Sequence, residues 1–466
     1  IGAVTSPLYA IIGIFVLGAG IFLLRNDTVL MITLLVVLFR LINVNLIPLI
    51  SFGGISLQPG DILLFIGLFK LYYRWSRGEK IFFGGLLGKS ILLFYGFVIF
   101  EVIYGYVYLR TDMHNLFGIL RVMVFYLIFL LIINMYKTEK QLKHFFFILE
   151  VLAVIVCLGN LLKAFAGSII PMPIQLIFNL GVDAELTSAV SRIVSEGQAL
   201  VGVIFFYVIG KMCFYRDAFN WWNVGSLILY ILSLVISFYR SLWAAMLLCL
   251  LIMFFMIGGR QKELLIKRCI QISLILFCLV FIAGIFSPAV RVYQQGLIDR
   301  LQSTAPSANV LKNKSLTIRF QENDYAIKAL KEHLWLGIGM GNEYRPVKFY
   351  SNDYRAWIHN GYLALVLNFG LVGGIFYFGI YLFSMLQMYF YYRHPLTSDF
   401  MRILLLMSFL MLFQYLLTGF FGPAFIRMHM IPLIALNWAC LMLAKMHIDF
   451  PFLTEGFSEG EENEIS

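Results

Sequence analysis

A histidine and an asparagine, His359 and Asn360, stand directly before an apolar run that is long enough to enter a lipid bilayer. The stretch from Trp357 to Gly374 reads W-I-H-N-G-Y-L-A-L-V-L-N-F-G-L-V-G-G. An imidazole titrates near neutral pH, so it can accept a proton from a sugar hydroxyl that lies within about 3 Å. A single histidine is usually structural, and the chemical interpretation of His359 therefore depends on the charged residues around it.

Arginines supply that context, because four of them are predicted on the same side of the membrane as His359. They are Arg121, Arg192, Arg240 and Arg319. A guanidinium keeps its charge and holds phosphate oxygens in pairs, which favours a shared pocket for a doubly charged anion. Simpler explanations stand beside this one: Arg240, in S-F-Y-R-S-L-W, could snorkel to a lipid headgroup, and Arg319 could be a solvated loop charge.

Charges embedded in apolar runs need a partner, since a lone charge in the hydrocarbon region is costly. Glu101 and Arg121 both fall toward the outer half of their runs. An ion pair between them is therefore a structural alternative to anion binding by Arg121. Glu150 is embedded in the same way and also calls for a partner.

The residues after Arg319 predict a helix followed by a turn. Ile327, Leu330 and Leu334 recur at i, i+3 and i+7, which indicates a helix lying against the membrane surface. The stretch G-I-G-M-G-N at Gly337–Asn342 predicts a flexible turn whose backbone N–H groups could approach an anion. A glycine-rich stretch outside a strand–helix unit is weak evidence for such a role by itself.

Composition determines the class of protein that positions these residues. Hydrophobic residues make up 61% of the 466 positions and charged residues 13%, and the mean hydropathy is +0.87. Many apolar runs of about 20 residues predict an all-α polytopic membrane protein. The net charge of +10 arises mostly from short loops between the runs, a pattern typical of cytoplasmic anchoring rather than of nucleic-acid binding.

Hydropathy predicts about 12–14 transmembrane helices, with the number in the first 60 residues undecided. The apolar runs lie at residues 8–24, 28–48, 61–74, 89–109, 116–136, 142–165, 197–214, 222–239, 241–258, 269–287, 361–391, 401–421 and 425–446. We predict one transmembrane domain, 1–454, with long outer loops at 166–196 and 288–358, and an acidic cytoplasmic tail at 455–466. The Lys/Arg clusters of the short loops place one face of this domain in the cytoplasm, so the site is predicted on the extracytoplasmic face.

Three motifs in order resemble those of the O-antigen ligase and polymerase superfamily. They are Y-R-S at Tyr239–Ser241, Arg319 followed by A-I-K-A-L and G-I-G-M-G-N, and His359 and Asn360 followed by N-F-G-L-V-G-G. The superfamily includes lipopolysaccharide O-antigen ligases, Wzy-type polysaccharide polymerases and a teichuronic acid polymerase. The motifs extend over residues 230–380, about a third of the chain.

The resemblance implies a GT-C-like helical bundle in the inner (cytoplasmic) membrane of a bacterial cell, and a metal-independent, inverting glycosyltransferase without a cofactor. Its donor would be a glycan on undecaprenyl diphosphate, and its acceptor a lipid-linked glycan or glycolipid. By resemblance, Arg240 and Arg319 would hold the diphosphate and His359 would act on the acceptor hydroxyl. The predicted substrate-binding residues are Arg121, Arg192, Glu196, Tyr239 and Asn360. The absence of an Asp-x-Asp motif agrees with arginines replacing a divalent cation.

Three functions remain open at this point. The favoured one is a polysaccharide polymerase that adds a growing chain to a lipid-linked repeat unit. A ligase that moves the finished chain to lipid A core would use the same arginines and histidine. A lipid-linked glycan flippase would also need arginines and many spans, but the unusual polar residues lie mostly on one side and no internal repeat is visible.

Overall fold

The computed structural model describes most of the chain between residues 25 and 449. The described residues are 25–39, 50–52, 55–166, 186–187, 190–191, 195, 197–302, 314–346 and 355–449. The predicted acidic tail and most of the predicted outer loop at 166–196 lie outside them.

Helices make up nearly all of the described structure. In chain order they are α1 (Asp27–Leu38), α2 (Pro59–Ser76), α3 (Gly85–Val107), α4 (Met113–Val124), α5 (Ile128–Met135), α6 (Glu139–Ala166), α7 (Gln198–Phe214), α8 (Trp221–Ile236), α9 (Arg240–Met256), α10 (Gly259–Phe286), α11 (Pro288–Gln302), α12 (Lys314–Glu332), α13 (Gly361–Arg393), α14 (Asp399–Gly419) and α15 (Ile431–Asp449). Two short antiparallel pairs of strands accompany them, β1 (Ile50–Phe52) with β2 (Ile55–Leu57) and β3 (Leu186–Thr187) with β4 (Val190–Ser191).

Seven helical segments of the described residues are long and apolar enough to cross a membrane. They are Gly85–Val107, Met113–Met135, Glu139–Phe165, Gly259–Phe286, Gly361–Arg393, Asp399–Gly419 and Ile431–Asp449. Helices α1, α7, α8 and α9 are apolar but shorter. The prediction of an all-α polytopic membrane protein is confirmed. The predicted total of about 12–14 spans also depends on the run at 8–24, which lies outside the described residues.

The predicted outer loop at 288–358 contains two helices, α11 and α12. The helix predicted after Arg319 is present. Ile318, Glu322, Ala326 and Leu330 are buried against the protein at a spacing of four residues, whereas Ile327 is 49% exposed. Hydropathy did not indicate this buried face, because one of its positions holds a carboxylate.

Helix α13 is broken at Gly370, where φ is +64°. The aromatic ring of Tyr362 stacks on that of Phe378 at 5.2 Å, although these residues stand sixteen positions apart and would be about 24 Å apart along a straight helix. The segments before and after Gly370 therefore lie side by side as a helical hairpin. Residues 371–393 remain long enough to cross the hydrocarbon core, while 361–369 fold back against them.

The glycine-rich stretch after α12 docks into this break. Gly337, Gly339 and Gly341 all have positive φ, between +72° and +87°. The Ile338 N–H donates to the Leu367 carbonyl (2.9 Å), and the Gly341 N–H donates to Asn368 Oδ1 (2.9 Å). Because these two N–H groups donate to residues of α13, they are not available to the anion that the sequence suggested. The stretch instead holds α13 in place at its break.

Helices α14 and α15 are the most deeply buried of the seven long segments and lie in the interior of the bundle. An aromatic cluster fixes the connection between them. The Tyr126 hydroxyl donates to the Phe425 carbonyl (3.0 Å), lies 2.6 Å from the Tyr377 hydroxyl, and its ring stacks on Trp438 at 5.3 Å. The residues that follow Phe425 are thereby held at the end of the bundle where α13 begins.

The embedded carboxylate Glu150 has the partner that its position requires. Lys211 Nζ lies 2.6 Å from Glu150 Oε1, and the Trp222 indole N–H donates to Oε2 (3.2 Å). Glu150 is 1% exposed, so the pair compensates a charge that burial alone would make costly.

Replacing Gly370 by alanine should destabilise the protein. A Cβ there would overlap the Trp335 carbonyl, and a left-handed backbone costs a non-glycine residue about 1–2 kcal/mol. We expect a lower melting temperature in detergent. Gly379→Ala is the matched control, because Gly379 lies in the same helix with nothing within 4 Å of an added Cβ. Equal melting temperatures for the two variants would contradict the assignment of Gly370 as a required break.

Candidate functional site

A histidine–carboxylate pair lies where α12 meets the start of α13. His359 Nδ1 is 2.8 Å from Glu322 Oε2, and the His359 backbone N–H donates to the same oxygen (3.1 Å). The Glu322 side chain is 2% exposed, whereas that of His359 is 33% exposed. A buried acceptor thus fixes an imidazole that remains open to a ligand.

The direction of this hydrogen bond decides what the imidazole can do. An ionised carboxylate only accepts, so in a neutral imidazole Nδ1 carries the proton and Nε2 keeps its lone pair. A second group that fixes the tautomer and the ring orientation is the arrangement that a general base requires. In this form, Nε2 is the ring atom that can accept a proton.

Arg345 lies behind the pair and is fully buried. Its Nη2 is 3.8 Å from Glu322 Oε1 and donates to the Trp357 carbonyl (3.3 Å). The Tyr344 hydroxyl donates to the same carbonyl (2.9 Å). The guanidinium offsets the charge of the buried carboxylate, and both contacts fix the backbone two residues before His359.

Arg319 stands one turn before Glu322 on α12. It is partly buried, and its Nε has no hydrogen-bond acceptor among the described residues. A buried guanidinium donor without an acceptor is unfavourable unless a ligand or water supplies one. Three residues of helix correspond to about 4.5 Å along the axis, so Arg319 stands about one turn from Glu322, the partner of His359.

Tyr239 and Arg240 open α9, and they reach the same region through the connection between α14 and α15. A Cβ at Gly422 would lie 3.7 Å from the Tyr239 hydroxyl, and a Cβ at Gly361 would lie 2.8 Å from the Gly422 carbonyl. Gly422 is therefore packed between the start of α9 and the start of α13. The structure brings the Y-R-S and H-N motifs to one end of the bundle.

Arg427 adds another cation at this end of the bundle. Its guanidinium lies over the ring of Trp357, 5.2 Å from the centroid. The sequence prediction placed Arg427 inside a span at 425–446, but α15 begins at Ile431. The connection between α14 and α15 contains Pro423, and Pro432 lies in the first turn of α15. Because the neighbours of Arg427 are apolar, hydropathy assigned this connection to a span.

Asn360 has a structural role that the sequence interpretation did not assign. Its Oδ1 accepts from the backbone N–H groups of Tyr362 (3.0 Å) and Leu363 (3.2 Å), which caps α13. An asparagine at this position typically stabilises a helix by about 1 kcal/mol relative to alanine. The cap also fixes the backbone next to His359.

The pair expected between Glu101 and Arg121 is absent. Arg121 Nε lies 3.2 Å from Asp61 Oδ2, at the beginning of α2. Glu101 is fully buried, and neither of its carboxylate oxygens has a hydrogen-bond partner among the described residues. The prediction was wrong because the first turn of α2 presents a carboxylate to Arg121 that hydropathy could not place. Arg192 and Glu196 lie outside the described residues.

Sequence reasoning missed Glu322, Arg345 and Arg427. Glu322 had a usable signal, since it stands three residues after Arg319 and so shares a helix face with it. Arg345 had none, because only the folded chain shows that this loop residue is buried.

The site residues lie within a segment that is similar to a known family. Residues 225–378 match the family model described as O-antigen ligase. That segment contains Tyr239, Arg240, Arg319, Glu322 and His359. The resemblance to the O-antigen ligase and polymerase superfamily is therefore confirmed, over about a third of the chain.

The family match supports a ligase- or polymerase-type function in a multi-pass membrane protein. The family implies lipid-linked glycans and membrane lipid as partners in general. No curated protein that we compared with the chain matches it.

Removing the Glu322 carboxylate should destabilise the protein, because Arg345 would lose the counter-charge for a buried guanidinium. Losing one partner of a buried pair costs on the order of 3–5 kcal/mol, so Glu322→Ala should melt well below the parent protein in detergent. Asp324→Ala is the control on the same helix: its partner is Lys328 at 2.6 Å, but both side chains are at least 60% exposed. If both variants melt at the same temperature, the buried network does not stabilise the site.

Proposed function

We propose that this protein is a GT-C-type glycosyltransferase that polymerises a polysaccharide. It transfers a glycan from undecaprenyl diphosphate to a hydroxyl of an acceptor lipid-linked repeat unit, on the outer face of a bacterial cytoplasmic membrane. The observation that carries the proposal is the imidazole of His359 oriented by Glu322, which stands one helical turn after Arg319, whose Nε has no partner among the described residues. The same helix thus holds the base for the acceptor and supplies a cation for the leaving group.

The arginines act on the leaving group. As the bond between the anomeric carbon and the phosphate oxygen breaks, the electron pair stays with the lipid diphosphate and its negative charge grows. Fixed guanidinium groups stabilise that charge in the transition state, where it is larger than in the bound substrate. Arg319 and Arg240 perform this role, and no divalent cation is required.

His359 acts on the acceptor. Its Nε2 removes the proton from the attacking hydroxyl, whose oxygen forms the new bond to the anomeric carbon on the face opposite the phosphate. The configuration at that carbon is therefore inverted. The imidazolium that results is stabilised by the carboxylate of Glu322 at 2.8 Å and returns its proton to solvent after release.

A ligase is the second candidate, because the matching family model is described as O-antigen ligase. It would use the same base and cations, and it would differ only in the acceptor, such as lipid A core. The polymerase is favoured by two long outer loops that could seat two lipid-linked chains. We also propose that the remaining predicted substrate-binding residues bind the two lipid-linked chains. These residues are Arg121, Arg192 and Glu196.

Replacing Arg319 tests the leaving-group role. Arg319→Ala should slow transfer by about 100–1000-fold, the loss expected for a donor that stabilises developing negative charge, and Arg240→Ala should act similarly. Arg319→Lys should restore only part of the rate, since an ammonium cannot hold two phosphate oxygens in the fork geometry. Lys328→Ala, on the exposed face of the same helix, is the control. Full activity of Arg319→Ala in a reconstituted transfer assay would refute the role.

Replacing His359 tests the base. His359→Ala should lower kcat by about 100–10,000-fold while the KM for the donor stays nearly constant, because the imidazole acts on the acceptor. The measurement is steady-state transfer in liposomes with a defined lipid-diphosphate oligosaccharide. A variant with an unchanged kcat would mean that another group accepts the proton.

The products distinguish the two candidate reactions. A polymerase should produce a ladder of chain lengths from one lipid-linked oligosaccharide, whereas a ligase should produce a single shift that depends on a second acceptor. The ladder should persist after addition of a chelator. Loss of activity with the chelator would contradict the metal-independent mechanism.

A further inference from the structure

A cavity of about 550 Å³ lies beside the candidate site, between the turn that joins α3 to α4 and the end of α12. Its walls include Arg110, Asp112 and Asn115 on one side, and Glu332 and His333 on the other. The side chains of these five residues make no hydrogen bond or ion pair with any other described residue, so their polar groups are available to a ligand.

Contacts across the cavity fix its shape. Asn342 Nδ2 donates to Thr111 Oγ1 (2.8 Å) and to the Ile338 carbonyl (2.6 Å), which ties the turn to the glycine-rich stretch. A Cβ at Gly339 would lie 2.6 Å from Leu109 Cδ1, so the two walls are in close contact there. Because the walls are joined below the cavity, a ligand would meet a largely preformed site.

The charges of the cavity favour hydroxyl groups over phosphate. Asp112 and Glu332 line it with two carboxylates against the single guanidinium of Arg110, while a third carboxylate, Glu343, is paired with Arg355 at 2.5 Å. Carboxylates accept hydrogen bonds from hydroxyls and repel a diphosphate, while arginine and asparagine donate to hydroxyl oxygens. The arginine-rich region around His359 has the opposite balance. The two sites are therefore complementary to the two parts of a lipid-linked glycan.

Helix α12 connects the two sites. Glu322 holds His359, and Glu332 lines the cavity ten residues later, which corresponds to about 15 Å along the helix. The wall between them is shared as well: Tyr344 lines the cavity, and its neighbour Arg345 contacts Glu322. A short oligosaccharide that has its reacting end at His359 could extend over this distance into the cavity.

We propose that this cavity binds sugar residues of the lipid-linked glycan, distant from the diphosphate. The proposal rests on the proposed glycosyltransferase function for the link between the sites, but sugar binding can be measured without transfer. The sugars belong either to the acceptor or to the donor chain, and the shared chemistry is recognition of hydroxyl groups by Asp112, Asn115 and Glu332.

Kinetics of the double variant Asp112→Ala, Glu332→Ala test the proposal. Its KM for one glycan substrate should rise about tenfold, the change that corresponds to the loss of one or two hydrogen bonds, with kcat within about twofold of the parent. If the KM for the acceptor rises at saturating donor, the sugars in the cavity belong to the acceptor. If the KM for the donor rises at saturating acceptor, they belong to the donor. Asp324→Ala, an exposed acid on α12 outside the cavity, should leave both KM values unchanged.

Direct binding separates this proposal from the proposed function. The repeat-unit oligosaccharide, freed of lipid and diphosphate, should bind the parent protein in detergent, and undecaprenyl diphosphate without sugar should not displace it. The variant Asp112→Asn, Glu332→Gln keeps the shape of the walls and should weaken this binding about tenfold. Unchanged binding and unchanged KM values would overturn the cavity proposal while leaving the transferase intact. Oligosaccharide binding without any transfer by the parent protein would refute the proposed function alone.

Discussion

The carboxylate of Glu322, buried against the start of α13, is the group on which the site depends. It accepts hydrogen bonds from the imidazole and the backbone of His359, and Arg345 lies 3.8 Å from its other oxygen. A buried charge of this kind is tolerated only where its partners are fixed, so the network holds the imidazole in one orientation. The same network leaves Nε2 as the free acceptor, and every chemical role proposed for His359 follows from that.

The break at Gly370 makes this contact possible. Because residues 361–369 fold back along the following span, the start of α13 lies beside α12 and beside the connection between α14 and α15. The glycine-rich stretch after α12 fills the interrupted hydrogen bonding of α13, so the glycine-containing parts of two family-like motifs serve the fold. The hydrogen bond from Tyr126 to the Phe425 carbonyl holds the connection between α14 and α15 in place. The chemistry therefore depends on backbone features some distance from the reacting groups.

Much of the architecture could be predicted from the sequence. Runs of apolar residues predict the helices because every backbone group in a bilayer must bond within its own segment. The break at Gly370 could not be predicted, since hydropathy continues without change across it. Likewise, Arg427 was assigned to a span because its neighbours are apolar, and the partner of Arg121 depends on a tertiary contact with Asp61.

The candidate site also combines residues that the sequence predicts with residues that only the folded structure shows. His359, Arg240 and Arg319 were predicted from residue type and from their common side of the membrane. The structure pairs His359 with Glu322, one helical turn after Arg319, and packs Gly422 between the starts of α9 and α13. The cap formed by Asn360 follows a known rule for helix starts, although the sequence interpretation gave it to the substrate. Glu322 and Arg345 were missed because their importance comes from burial, which a single sequence does not show.

A double-mutant cycle on the transfer rate tests the central role of Glu322 most directly. We predict that Glu322→Gln slows transfer in the parent protein, but changes the rate by less than about threefold in the His359→Ala background, because groups that act as one unit are not additive. If the two losses instead multiply, Glu322 does not act through the imidazole, and the account of the site is wrong.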